Sequence, residues 1–271
     1  MKKLAPWLSV FFLLGCAESR GAPASNSETV PPGIQKWDFQ LEGITRETLA
    51  YIPGTAKDKL TPVLFVFHGH GGNSQNAVRM FAMHRHWPEA ISIYMRGLNT
   101  PGRLTDPQGK APGWQKSLGD QQDRDLKFFD AVLARLKQDY KVDPKRIFST
   151  GHSNGGAFTY LLWAERGDVL TAVAPSAATP AESLQKLKPK PVMHIAGERD
   201  SLVKFEWQEK AIVAVRKLNG CETEGRPWGK DCTYYASKAG APVVALIHAG
   251  AHQVPAGAPA LIVKFFKEVS N

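Results

Sequence analysis

The sequence predicts an α/β fold, a mostly parallel central sheet with helices on both faces, and three observations predict it. Pro62 to Phe67 is an unbroken apolar run rich in Val and Phe, the pattern of a strand buried on both faces of a parallel sheet. Short apolar runs at Ala90 to Met95, Lys145 to Thr150, Leu170 to Ala174, Pro191 to Ala196 and Val243 to His248 alternate with segments of helical periodicity. Strands alternating with helices build parallel sheets covered on both sides. The chain has 271 residues, 43% hydrophobic and 22% charged, which suits one large domain and excludes a disordered or fibrous protein.

In chain order, Trp37 to Leu41 and Thr45 to Ile52 alternate apolar and polar residues around Gly43, predicting an antiparallel hairpin. After the first buried strand comes the glycine-rich turn His68-Gly69-His70-Gly71-Gly72-Asn73. There Asn73 or Ser74 caps a helix running to about Met83. Arg96 to Gln122 is long and rich in Gly and Pro, so it reads as a functional or mobile loop. Leu126, Phe129, Val132, Leu133 and Leu136 set a helix over Asp123 to Tyr140, which Val142-Asp143-Pro144 breaks. Later helices are expected at Asn154 to Arg166, Lys204 to Leu218 and Gly257 to Glu268.

The N-terminus reads as a targeting segment. Lys2 and Lys3 precede an apolar stretch, Leu4 to Leu14, too short to span a bilayer but suited to a signal peptide. It ends in Leu13-Leu14-Gly15-Cys16, which resembles a bacterial lipobox and implies cleavage after residue 15 and lipidation of Cys16. The alternative is an ordinary secretory signal cut near Ala22 to Ala24. Residues 16–36 read as a flexible tether and 37–271 as the catalytic domain, with a membrane reached only through the lipid. The formal charge of +9 is spread along the chain with no zinc-finger, phosphate-loop or RNA-binding pattern, so nucleic acid is not an expected partner. No metal-ligand cluster or cofactor motif appears, and a monomer is expected.

The chemistry sits in loops that follow strands. Gly151-His152-Ser153-Asn154-Gly155 matches G-x-S-x-G between a strand and a helix, the context of a nucleophile elbow in an α/β-hydrolase. The turn must lift the serine oxygen above the sheet, and the glycines stand where a side chain would collide with backbone. A serine hydroxyl needs a base. His252, in the loop after the last strand, is the choice, with His248 as the alternative. Asp200, in the loop after Pro191 to Ala196, is the acid that orients it, with Glu198 as runner-up. The backbone N–H groups of Asn154 and His70 are the expected oxyanion hole, Gly71 standing second to His70. Trp114 is a possible substrate contact, or else it pins the loop to the core.

Several pieces together resemble the secreted polyhydroxybutyrate depolymerase and feruloyl esterase family of α/β-hydrolases. They are the HG-x-GG turn, Tyr140-Lys141-Val142-Asp143-Pro144-Lys145-Arg146-Ile147, Gly151 to Gly156, Gly197-Glu198-Arg199-Asp200-Ser201-Leu202-Val203 and Gly250-Ala251-His252. The resemblance implies Ser153, Asp200 and His252 as the triad. Two departures lie near the substrate: Gln253-Val254-Pro255 replaces a Trp-Pro after the histidine, and His70 stands where polymer-cleaving members often carry Cys. Cys221 and Cys232 flank a polar segment. In an exported protein they read as a disulfide closing a surface loop, and the resemblance points the same way; free thiols or a metal pair are the alternatives. The expected function is a serine carboxylic-ester hydrolase acting through an acyl-enzyme. A serine peptidase and a non-catalytic surface binding protein are the rivals.

Overall fold

The computed structural model describes Met1 and residues 30–102 and 104–270. The signal segment and Cys16 lie outside the described residues. Among those residues, ten strands form one sheet in the order β1-β2-β4-β3-β7-β8-β9-β12-β11-β10. Its centre is parallel: β4 (Ile91–Met95), β3 (Thr61–Phe67), β7 (Val142–His152), β8 (Ala172–Ser176), β9 (Val192–Gly197) and β12 (Val243–His248). Antiparallel pairs flank both sides, β1 (Ile34–Leu41) with β2 (Ile44–Tyr51), and β11 (Cys232–Tyr235) with β10 (Arg226–Gly229). A short ribbon of β5 (Leu98–Asn99) and β6 (Pro112–Gly113) stands apart.

Alternation along the strands sorts the core into two layers. Val63, Phe65 and Phe67 of β3 face α3 (Arg124–Asp139), α4 (Asn154–Arg166) and α5 (Phe205–Leu218), which supply Phe129, Phe158 and Val215. Leu64 and Val66 face α1 (Ser74–Phe81), α2 (Met83–His86) and α6 (Ala258–Glu268), which supply Phe81, Met83 and Phe266. Helices thus cover both faces, as the sequence predicts.

Most boundaries fall within two or three residues of the expected ones, and the differences have local causes. The first strand begins at Ile34, inside the stretch read as tether, because Ile34 pairs with Tyr51 across a hairpin closed by Glu42 and Gly43. Both turn residues have positive φ, 51° and 79°, the I′ geometry that matches strand twist. Helix α1 stops at Phe81, since Ala82 adopts φ 41° and starts a separate turn. Pro144 lies within β7; a register shift between the β3 pairs Thr61 with Val142 and Val63 with Ile147 absorbs it.

The segment read as a polar loop between Cys221 and Cys232 extends the sheet through β10 and β11. The expected disulfide is not formed, and both cysteines are free thiols. Cys232 packs with Val244 and Leu246 in the layer beneath α6, whereas Cys221 packs against the opposite layer. The sheet therefore separates the two sulfurs. Desolvation raises both thiols, Cys232 to about 11.

One buried ion pair fixes the entry to α3. Arg46 and Asp125 meet at 2.8 Å, nearly without solvent exposure, and the guanidinium lies 4.2 Å over the Phe128 ring. Asp125 also accepts the Gln115 N–H, while Gln115 Oε1 accepts the N–H groups of Asp125 and Leu126. Gln115 thus caps α3 from ten residues upstream, where Asp123, at φ 58°, makes no side-chain cap. An Asp125→Ala variant strands a buried guanidinium and is expected to lose about 3–5 kcal/mol in chemical denaturation.

Candidate active site

The elbow is set by backbone crowding. β7 ends at His152 and α4 begins at Asn154, and Ser153 between them is held at φ 57°, ψ −119°. A side chain rarely adopts that conformation, and structures that keep it do so under outside constraint. Ser153 N–H donates to Ser176 O at 2.8 Å, tying the turn to β8. A Cβ at Gly151 would overlap the Gly155 carbonyl, and one at Gly155 would lie 2.5 Å from the carbonyl oxygens of Phe67 and His68. Only glycine allows α4 to leave so close to the ends of β3 and β7.

Asp200 and His252 are brought together as the sequence predicts, by two loops that run side by side. Glu198 N–H donates to His248 O, Arg199 N–H to Gly250 O and Arg199 Nε to Ala249 O. A Cβ at Gly197 would overlap the Ala251 carbonyl, so the approach again requires glycine. Asp200 is buried; its Oδ1 accepts the Leu202 and Val203 N–H groups, both at 2.9 Å. Its Oδ2 accepts from His252 Nδ1 at 2.8 Å. A carboxylate partner at Nδ1 places the proton there and leaves Nε2 as the basic nitrogen. Glu198, the alternative acid, is exposed. His248, the alternative base, is buried and its Nδ1 accepts the Gly250 N–H.

Ser153 and His252 line one cleft of about 720 Å³ with Gly69, His70 and Asn154. Its size is in the range of small-molecule sites. Asn154 opens α4, so its N–H belongs to the first-turn donors that lack intrahelical acceptors. The Gly71 N–H, the second choice for the oxyanion hole, is committed to Pro112 O at 2.7 Å. The His70 imidazole meets Asp106 at 3.2 Å and packs against Gly102 and Gly113, so its ring fastens the long loop over β5 and β6. The Asn154 side chain does the same by accepting the Trp114 N–H at 2.7 Å and donating to Trp114 O at 3.1 Å.

Trp114 is not at the cleft. The indole is fully buried, donates to His68 O at 2.9 Å, stacks on Phe158 and meets Phe67 edge-on. It pins the loop to the core, and the substrate-contact expectation is corrected. The apolar wall comes instead from Met80, Leu104, Leu202, Val203 and Trp207. Trp207, 39% exposed on α5, was not singled out from sequence; its place just after the acid loop was the available signal.

His68 and His152 are sequestered. His68 is buried with Nδ1 on Gly69 O at 2.7 Å and Nε2 accepting the Gly97 N–H, and desolvation lowers it to about 4. His152 lies 4.7 Å from the His252 ring, and desolvation, then the charge of His252, lowers it to about 3.

Residues 48–220 match the Dienelactone hydrolase family, a span that holds Ser153 and Asp200. The chain is 25% identical over 197 residues to a bifunctional acetylxylan esterase/xylanase of Neocallimastix patriciarum, covering 69% of this chain and 26% of that protein. It is 25% identical over 239 residues to feruloyl esterase B of Piromyces equi, covering 76% of this chain and 42% of that one. It thus spans less than half the length of these two relatives. The fold is that of an acetyl xylan esterase from Aspergillus awamori, with a TM-score of 0.63, 10% identity, and coverage of 86% and 99%.

Three outcomes follow from the geometry and the burial of the histidines. Trp114→Ala is expected to cost about 3–5 kcal/mol in stability. Trp207→Ala should leave the denaturation midpoint near wild type, since the indole is 39% exposed. His68 and His152 are neutral in the fold but titrate near 6.5 when unfolded, so the unfolded chain binds more protons between these values. The stability they contribute is present above pH 6.5 and falls as pH drops toward 4 and 3. Urea midpoints measured from pH 7 to pH 4 should decline, with a shallower slope in His68→Gln.

Proposed function

This chain belongs to the Dienelactone hydrolase family, and from that premise we propose that it is a serine carboxylic-ester hydrolase acting through an acyl-enzyme. The observation that carries the proposal is the 2.8 Å contact of His252 with buried Asp200, at a cleft shared with a serine on a strained elbow. His252 Nε2 takes the Ser153 proton as Oγ attacks the ester carbonyl. The developing oxyanion is met by the Asn154 and His70 N–H groups. The imidazolium then gives its proton to the leaving alcohol, and the acyl-enzyme forms. Water enters, loses a proton to His252 and attacks the acyl carbon, releasing the acid and restoring the serine.

An apolar wall with an exposed indole supports an aromatic or other apolar acyl group. The names of the relatives support acyl groups carried on plant polysaccharide. Polyhydroxybutyrate oligomers and simple short-chain esters complete the substrate panel. We further propose export, with Cys16 carrying lipid; an intact mass of the membrane fraction without acyl chains would reject the lipid.

Fluorophosphonate should label Ser153 in folded protein, and Ser153→Ala should abolish labelling and lower kcat about 10⁴- to 10⁶-fold. No adduct, or full activity in Ser153→Ala, sinks the proposal.

A further inference from the structure

We propose that Gln208 is a positioning residue for Asp200, its amide held in one orientation by a buried donor chain that starts at Tyr160. The proposal rests on the triad reading above and adds three residues to it.

Gln208 lies in the first turn of α5, fully buried and outside the cleft lining. Its Nε2 donates to Asp200 Oδ2 at 3.1 Å and to Val203 O at 2.6 Å. The first of these is the oxygen that accepts from His252. With the two backbone donors on Oδ1, every partner of this carboxylate donates and both oxygens are fixed.

The other end of the amide faces His194 of β9. Tyr160 of α4 and His194 are both buried, with the phenol oxygen 2.7 Å from His194 Nδ1. Desolvation raises the phenol and lowers the imidazole to about 4, so Tyr160 stays protonated and His194 neutral. The phenol therefore donates to Nδ1, which puts the imidazole proton on Nε2. Gln208 is the neighbouring polar side chain that opposes this lowering of His194. Gln208 Oε1 and His194 Nε2 are both buried and neither has a hydrogen-bond partner among the described residues, an acceptor and a donor left to each other. Donation then runs in one direction, from Tyr160 to His194 to Gln208 to Asp200. A flipped amide would set its oxygen against the Asp200 carboxylate and the Val203 carbonyl, and its N–H groups against an N–H.

The test uses Gln208→Met, which keeps length without polar atoms, and Tyr160→Phe, which removes only the first donor. Kinetics are read on an ester that the wild type cleaves, and the low-field Nδ1–H proton resonance of His252 by NMR. Gln208→Met is expected to lose about 10- to 100-fold in kcat with KM nearly constant, the cost of a misaligned base. The His252 resonance should move in both variants. Unchanged kcat, a KM rise that accounts for the whole loss, or an unmoved resonance overturns the proposal. If Gln208→Met does not fold, Tyr160→Phe decides: a moved resonance supports the chain and an unmoved one overturns it. The resonance needs no substrate, so an absence of esterase activity in the wild type would count against the function and leave the Gln208 result readable.

Discussion

The catalytic end of the molecule depends on one close approach, where α4 leaves β7 so tightly that neither Gly151 nor Gly155 has room for a Cβ. That crowding puts Ser153 at a positive φ and at the head of a helix. Its neighbour Asn154 then has two uses. The residue lines the cleft at the head of α4, while the side chain holds Trp114 and with it the long loop between β4 and α3. The strain at the serine is sustained by the fully buried layers on both sides of β3 and β7.

A second constraint sorts the histidines near the ends of the central strands into different duties. Desolvation lowers His68, His152, His194 and His248, the first to about 4, the second to about 3 and the third to about 4, and all four serve as struts between loops or strands. His252 alone combines a buried carboxylate on one ring nitrogen with partial exposure of its side chain, at 21%, in the cleft. Burial therefore sets these histidines apart from His252, and the backbone bonds between the loops of Asp200 and His252 hold the latter in place.

The site was legible in sequence to the extent that it depends on local pattern. The elbow glycines flank a serine between a strand and a helix, and Asp200 and His252 each follow a strand whose apolar run marks its end. What failed depended on direction rather than position. A lone Trp114 in a Gly- and Pro-rich loop carries no sign of which way it faces. Cys221 and Cys232 are near in sequence, yet packing sends them to opposite layers. The four-residue strands β10 and β11 are too short to show a period. Gln115 capping α3 and Gln208 reaching Asp200 rest on contacts between elements that no window along the chain contains.

The flanking strands bear on how copies of this protein meet. β10 ends one side of the sheet with an exposed Pro227, which has no N–H to offer, and a register shift at Gly229. β1 ends the other with Gln35, Lys36, Asp38 and Gln40 exposed. Both are poor templates for adding a further strand. Among the described residues, the two outer strands thus guard a concentrated preparation against edge-to-edge growth of the sheet.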